Sequence, residues 1–422
     1  MWQKLVQMWH SKDLRNSILF VLAMLVIFRI VAHIPIPGVD VEGLRQLFAR
    51  NQVLGLLNLF SGGGLENFSI VMLGVGPYIT ASIILQLLTM IVPSMEQLSK
   101  EPDGQKKINQ WTRYLTVPFA AMQGYAFIVL LQRQTGLIGD LSLITWLTTI
   151  LTIVAGSIFL IWLGELITEK NVGNGISLLI FAGIVASLPE TVQQMALTFD
   201  TSQILQILVY VVLGLVTILG VVVMTEGQRL IPVQYARQMR GGRMYGGVNS
   251  HLPLKVNMAG MIPIIFAISL IIFPQTIAQF FVGAQSPALV SAAKFVIQAF
   301  QDQAIYGTIY FILVVAFTYF YTYIVFHPEQ IAENLQKQGG FIPGIRPGSH
   351  TTEYLQVIVN RILLAGALFL GLIAILPLVV QYFTGSANMV VGGSSLLIVV
   401  SVVIETMRKI DSQLTMRDYD KL

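Results

Sequence analysis

The chain has no cysteine among its 422 residues, which excludes disulfides, thiolate metal sites and cysteine nucleophiles. Charged residues are also scarce, at 11% against about 25% in a typical soluble protein. The five histidines are scattered and show no metal-binding spacing. No GxxxxGK[ST] phosphate loop is present. We therefore expect neither catalytic activity nor a cofactor.

Long apolar stretches fill much of the remaining sequence, and hydrophobic residues make up 55% of the chain. A helix that crosses a bilayer needs about 20 mostly apolar residues. Ten stretches meet that requirement and predict an all-α integral membrane protein with ten transmembrane helices: 18–35, 74–93, 114–132, 146–164, 174–189, 203–224, 258–280, 304–326, 356–381 and 389–404.

The basic residues lie mainly on one side of these spans. Both tails and the loops 94–113, 165–173, 225–257 and 327–361 hold 20 of the 25 lysines and arginines. The opposite loops hold Arg45, Arg50, Arg133 and Lys294, and Arg29 lies inside the first span. Because cytoplasmic loops of membrane proteins are enriched in basic residues, we predict that both termini are cytoplasmic.

The ten spans divide evenly at the loop 189–202, which gives an N-terminal half, 1–195, and a C-terminal half, 196–422. Five spans in each half permit an inverted repeat, as in many secondary transporters. A secondary transporter for a small solute is therefore the alternative function. Coupled transporters usually carry acidic groups near the membrane midplane, and few carboxylates lie deep in these spans.

A glycine-rich segment follows the first span. Three consecutive glycines after Ser61 interrupt any continuous helix, and the apolar run that follows them, Leu65 to Val71, is too short to cross a membrane. This segment is either a short helix enclosed by the protein or a half-helix at the outer surface. We expect it to be held only marginally, since ordering three glycines is entropically costly.

Two long loops on the basic side, 225–257 and 327–355, combine basic residues with glycine and proline. Loops of this kind carry function more often than spans do. They predict a docking site for a large partner, or alternatively a surface for anionic lipid.

Several longer strings of residues resemble the bacterial SecY family, the pore subunits of the Sec protein-translocation channel, in order along essentially the whole chain. They are HIPIPG at 33–38, LFSGGGLENFSI at 59–70, GVGPYITASIILQLL at 74–88, GNGISLLIFAGIVA at 173–186, HLPLKVNMAGMIPIIFA at 251–267, GFIPGIRPG at 340–348 and GGSSLLIVVSVVIE at 392–405.

The resemblance implies a two-halved, clamshell-like channel in the bacterial cytoplasmic membrane, with signal peptides and nascent polypeptides as its substrates. A side opening between spans two and three and spans seven and eight would release hydrophobic segments into membrane lipids. The implied partners are SecE, SecG, the SecA motor and the ribosome, and no DNA.

The resemblance also assigns roles to residues of this chain. The pore ring falls on Ile79, Ile83, Ile180, Ile184, Ile265 and Ile398. The plug helix falls on about 60–71, including Phe60, Ser61, Gly62, Gly63, Gly64, Leu65, Glu66, Asn67 and Phe68. The lateral-gate candidates are Gln86, Thr89 and Ser269, and the docking residues are Arg240, Arg243 and Arg346. A narrow ring of isoleucines wets poorly and so blocks ions.

Overall fold

The structure is a computed structural model that describes residues 10–37, 43–44, 58, 61–101, 103–135, 142–197, 204–235, 238–240, 243–245, 249–282, 286–384 and 393–420. Its elements, in chain order, are α1 (Lys12–Ala32), α2 (Gly76–Ile91), α3 (Pro93–Lys100), α4 (Gly104–Thr135), α5 (Leu143–Glu169), α6 (Gly175–Leu197), α7 (Ile204–Glu226), β1 (Gln228–Tyr235), β2 (Gln238–Arg240), β3 (Arg243–Tyr245), β4 (Asn249–Lys255), α8 (Ile262–Phe281), α9 (Pro287–Gln301), α10 (Gln303–Val325), α11 (Pro328–Lys337), β5 (Gly340–Phe341), α12 (Ser349–Thr384) and α13 (Gly393–Asp420).

Each of the ten predicted spans overlaps one helix, namely α1, α2, α4, α5, α6, α7, α8, α10, α12 and α13. Residue 203 of the sixth predicted span and residues 389–392 of the tenth lie outside the described residues. By length and apolar composition, six described helices qualify as membrane spans, or seven if the bent pair α2–α3 counts as one. The apolar parts of α6 and α8 are shorter, and α13 runs on into polar sequence.

Local sequence sets several helix boundaries. Asp302 caps α10, since its carboxylate accepts hydrogen bonds from the backbone N–H groups of Ala304 at 2.9 Å and Ile305 at 3.1 Å. Pro93 begins α3 directly after the end of α2, and the chain bends there by 108°. These signals let α2 end and turn within a few residues.

A small sheet departs from the all-helical expectation. In the loop 225–257, β1 pairs antiparallel with β4, and β2 pairs with β3 as a hairpin. On its other side β1 pairs antiparallel with β5 from the loop 327–355. Alternate residues of β1, Ile231 and Val233, are buried with Leu335 of α11 and Leu355 of α12. This apolar face explains why the loop is ordered. We call the end of the helix bundle that carries this sheet the sheet side.

The helices form two groups that meet along two seams. In the first group, α2 and α5 pack on α4, and α1 and α6 pack on α5. In the second group, α10 packs on α8 and α12, and α13 packs on α7 and α12. The principal contacts between the groups are made by α8 on α2 and α4, and by α13 on α6. The centre of the molecule is therefore bounded by α2, α6, α8 and α13.

Candidate functional site

The six isoleucines assigned to the pore ring come from those four central helices. All six are buried, with Ile79 and Ile265 the most exposed at 7% each. They belong to a single hydrophobic cluster in which Val71 and Val75 also take part. The six ring candidates thus share the apolar interior of the helix bundle, with side chains that offer no hydrogen-bonding group, and their role as a ring stays a prediction.

The glycine-rich segment lies directly against this cluster, but it is not the predicted helix. Residues 61–75 form a succession of turns. Gly62 and Gly63 have φ values of +67° and +81°, and Phe68 has a φ of +45°. Backbone in this left-handed region cannot continue a right-handed helix, which is the physical reason for the difference. Phe60 lies outside the described residues.

The segment is enclosed by the protein, which decides against the surface half-helix. Leu65, Phe68 and Met72 are at most 3% exposed and pack with Phe127 of α4 and Ile153 of α5 in a second hydrophobic cluster. Because Val71 and Val75 belong to the isoleucine cluster, the segment joins both clusters. Its hold is therefore extensive, contrary to the expectation of a marginal one.

Polar contacts fix the beginning of the segment. Arg29 of α1 donates a hydrogen bond of 2.6 Å from Nη1 to the carbonyl oxygen of Gly62. A Cβ at Gly62 would lie 2.6 Å from the ring of Phe28 and 3.1 Å from the Cα of Gly183, next to Ile184. Asn58 donates to Glu66 Oε2 at 2.6 Å, which closes the loop that contains the glycines. Only glycine fits the space at position 62 without displacing its neighbours.

The helices that the resemblance assigns to the side opening include α2, α4 and α8, and α8 packs on the other two. Among the gate candidates, Gln86 donates to Ser82 Oγ at 3.0 Å and Thr89 donates to the Gln86 carbonyl at 2.7 Å, both within α2. Ser269 is half-buried in α8. One contact across the seam is aromatic: the rings of Phe119 in α4 and Phe273 in α8 meet edge-to-face at 6.4 Å.

Sequence reasoning missed this aromatic pair. Each ring is next to a proline inside its helix, Pro118 in α4 and Pro274 in α8. A proline in a helix interior removes a backbone hydrogen bond and kinks the helix. In the sequence, each of these two spans therefore carries a phenylalanine next to an internal proline, and this pattern was the signal that could have indicated the contact.

The docking candidates lie on the sheet side. Arg346 is exposed in the turn between β5 and α12, where Gly344 and Gly348 have φ values of +82° and +99°. Its carbonyl accepts a hydrogen bond from Thr351 Oγ1 at 3.0 Å. Arg240 and Arg243 face each other across the β2–β3 pair, and their backbones alone are described. The sheet side thus presents Arg346 on a braced turn.

Comparison with known proteins identifies the family. The family model described as SecY matches residues 69–407. The chain belongs to the SecY family. The protein translocase subunit SecY of Streptomyces scabiei is 42% identical to it, over 98% of this chain and 97% of the relative. SecY family members are subunits of protein-conducting channels and are not enzymes, so the small-solute transporter is set aside.

Solved structures agree with the fold. A protein-conducting channel superposes with a TM-score of 0.62 at 19% identity, over 93% of this chain and 90% of that one. Sec61 in the canine ribosome–channel complex of the endoplasmic reticulum gives a TM-score of 0.58 at 18% identity, over 93% and 90% of the two chains. The chain is a multi-pass, mostly helical membrane protein of the SecY fold, which the ten-helix inverted repeat fits.

Proposed function

We propose that this SecY-family chain conducts unfolded polypeptide between its two helix groups and through the isoleucine ring. The observation that carries the proposal is that the central helices α2, α6, α8 and α13 contribute six buried isoleucines to one hydrophobic cluster. Such a neck offers no hydrogen bonds that would favour one passing sequence over another. It also wets poorly, which limits ion flow.

The segment 61–75 is the plug of this neck in our proposal. Its residues Val71 and Val75 belong to the same hydrophobic cluster as the six ring isoleucines. Arg29 holds its beginning through the Gly62 carbonyl. Displacement of this segment would open the path past the ring on the side opposite the sheet.

We propose that the halves 1–195 and 196–422 separate along the seam of α8 with α2 and α4. Separation there would expose the neck sideways to lipid and release hydrophobic segments, including signal peptides. Phe119 and Phe273 would part in this movement, together with the gate candidates Gln86, Thr89 and Ser269. The second seam, where α13 packs on α6, would act as the hinge side.

The sheet side is the cytoplasmic docking face in this proposal, with both termini cytoplasmic and the bilayer being the bacterial cytoplasmic membrane. The Sec61 structure named above is part of a ribosome–channel complex. Arg346, Arg240 and Arg243 suit a ribosome or the SecA motor, because arginine pairs bidentately with phosphate or carboxylate groups. SecE and SecG are the proposed membrane partners.

Reconstitution tests the function directly. The chain, assembled with SecE and SecG in proteoliposomes, should carry an unfolded secretory polypeptide into the lumen when SecA and ATP are added. A photoreactive residue placed at Ile184 should crosslink to a stalled chain, and one at Ile153, equally buried but away from the ring, should not. Transport without any crosslink from the ring positions would contradict the assigned path.

A further inference from the structure

Helix α9 (Pro287–Gln301) connects the spans α8 and α10 at the end of the bundle opposite the sheet side. That position follows from the chain, because α8 begins just after β4 and α10 ends just before α11 and β5. With 15 residues, α9 is too short to cross a bilayer, which takes about 20. It therefore lies near the membrane boundary, where the two spans that it connects end.

A single residue joins α9 to α10. Asp302 donates its backbone N–H to the Gln298 carbonyl at 3.2 Å, which ends α9, while its carboxylate caps α10. Along its length α9 packs on both α8 and α10, and its residue Ala293 is buried. The helix thus lies along the bundle and does not project from it into water.

A polar stripe runs along one exposed side of α9. It consists of Ser291, Lys294 and Gln298, whose side chains are all exposed. Residues three, four and seven apart recur on the same face of a helix, so these three residues form one continuous stripe. Water or lipid headgroups are suitable surroundings for it.

A second exposed stripe on α9 is apolar. Ala288, Ala292 and Phe295 follow the same helical spacing on a different side, and Phe295 is 72% exposed. Leu289, next to this stripe, is also exposed. Burial of an aromatic ring is among the larger apolar contributions to binding and stability, and exposed apolar patches mark contacts with membranes or with other proteins.

The surroundings of the apolar stripe indicate that lipid covers it. Phe281 at the end of α8 and Ile305 at the start of α10 expose about as much of their side chains as Leu289 does, and Ile312 farther along α10 exposes more. Because α10 qualifies as a membrane span by length and composition, its exposed apolar side chains face lipid. The apolar stripe of α9 continues this lipid-facing surface at its edge.

We propose that α9 is an interfacial helix that binds the lipid leaflet opposite the sheet side. Ala288, Ala292 and Phe295 lie among the ends of the acyl chains next to the headgroups, and the polar stripe lies among the headgroups. Helices with one apolar and one polar face bind membrane interfaces in this way. Through α9, the end of the seam helix α8 is attached to the leaflet. This lipid contact does not depend on the proposed path of the polypeptide.

The charge of α9 indicates which part of the lipid it binds. Lys294 is its single charged residue, whereas segments that bind anionic headgroups carry several basic residues. The apolar stripe therefore supplies most of the binding, and the acyl chains are the part of the lipid that it recognises. We expect the same seating in membranes of zwitterionic and of anionic lipid.

Spin labels test this seating, since the chain has no cysteine of its own. The variants Phe295→Cys, Ala292→Cys, Ser291→Cys and Gln298→Cys, each assembled with cysteine-free SecE and SecG in phosphatidylcholine vesicles, receive one nitroxide apiece. Collisions with oxygen, which concentrates in lipid, and with a water-soluble nickel chelate give the depth of each label. We expect depths of about 5–10 Å below the headgroups at positions 295 and 292. Labels at positions 291 and 298 should lie in the headgroups or in water, although all four positions are exposed.

A matched pair of charges tests which stripe holds the helix. Phe295→Asp should move a label at position 292 outwards into the headgroups, because a carboxylate is costly among acyl chains. Ser291→Asp adds the same charge to the polar stripe and should leave the depth of that label unchanged. Both positions are exposed, so both variants should co-purify with SecE in normal amounts. An unchanged depth in the Phe295→Asp variant would show that the apolar stripe is not the lipid contact.

Three further results would overturn the inference. Frequent collision of the label at position 295 with the nickel chelate would place the apolar stripe in water. Rare collision with both reagents there would show that a protein subunit covers the stripe. Seating that occurs only when phosphatidylglycerol is added to the vesicles would identify a headgroup site at Lys294 instead. Failure of the parent protein to translocate any polypeptide would count against the proposed function and not against the seating of α9.

Discussion

Arg29 and Gly62 join α1 to the segment 61–75, the proposed plug, through a hydrogen bond of 2.6 Å from a guanidinium nitrogen to a backbone carbonyl. The acceptor is a main-chain atom, so the bond does not depend on the side chain at position 62. The φ of +67° at Gly62 aims that carbonyl, and the contacts with Phe28 and Gly183 leave no room for a Cβ. The charge of Arg29 inside the first span is thus explained by its hydrogen bond to the Gly62 carbonyl.

Replacement of Arg29 by methionine should loosen the plug. A hydrogen bond from a charged donor contributes about 1.5–3 kcal/mol, so we expect the ion leak of resting channels in planar bilayers to rise about tenfold or more. Arg15→Met is the control, since it removes a cation from the same helix some four turns from the plug contact. If the Arg29→Met variant leaks no more than the control, the Arg29–Gly62 hydrogen bond does not hold the plug.

Phe68 should report the position of the plug. Phe68→Cys introduces a single thiol into a chain without cysteine, at a site that is 1% exposed. We expect a water-soluble maleimide to label it slowly in the resting channel and much faster when a stalled polypeptide occupies the neck. Ser286→Cys, exposed before α9, should be labelled at one rate in both states. Fast labelling at position 68 in the resting channel would mean that the segment does not close the neck.

The isoleucine ring should seal the channel against ions during transport. Simultaneous replacement of Ile83, Ile184 and Ile398 by serine adds three hydroxyls to the neck, which should let water and ions enter it. Planar-bilayer recordings with a trapped polypeptide should then show conductance where the parent protein shows little. Ile153→Ser, an equally buried change in the second cluster, should not produce that conductance. An unchanged conductance in the triple variant would show that the seal lies elsewhere.

The aromatic contact across the seam should tune sideways release. Edge-to-face pairs contribute about 0.5–1.5 kcal/mol beyond their buried area. Phe119→Leu or Phe273→Leu should therefore let less hydrophobic test segments enter the membrane. The segment hydrophobicity, expressed as a transfer free energy, at which half of the molecules insert should fall by an equivalent amount. The double variant should gain little over either single one, because both remove the same contact. Phe159→Leu breaks a ring contact within α5 and serves as the control. Additive effects of the two changes would show that the rings act independently.

Arg346 should contribute to motor docking. The Arg346→Glu variant should lose SecA-driven transport, and Arg346→Lys should be impaired, because lysine cannot form a bidentate pair. Arg229→Glu reverses an exposed charge on β1 in the same sheet and should retain transport. Membrane levels and SecE binding, measured by co-purification, should stay normal in all three. If the Arg346→Glu variant transports fully at normal membrane levels of the protein, Arg346 is not a docking residue.

The sequence predicted the ten helices well because membrane hydrophobicity is a local property that each stretch carries by itself. It did not predict the sheet, since β1 and β4 lie in a polar loop and each contains a proline, Pro232 and Pro253. Their pairing depends on the apolar face of β1, which becomes visible once α11 and α12 are in place.

The site was predicted unevenly for a related reason. The isoleucine positions followed from strings that resemble a family. All six are buried in one large hydrophobic cluster, and their role as a ring stays a prediction. The plug was expected to be a helix, but left-handed backbone at Gly62, Gly63 and Phe68 makes it a run of turns. The Phe119–Phe273 contact depends on how two distant helices cross, which no stretch of sequence encodes alone.

Because the proposed plug, segment 61–75, contributes residues to both apolar clusters, it cannot leave one without disturbing the other. Full withdrawal would remove Leu65, Phe68, Val71, Met72 and Val75 from their neighbours, at a cost on the order of 10 kcal/mol if nothing replaced them. Thermal fluctuation alone would then open fewer than about one molecule in a million. An incoming apolar segment that replaces these contacts offsets most of that cost. Hydrophobic chains can therefore displace the plug, whereas polar solutes cannot.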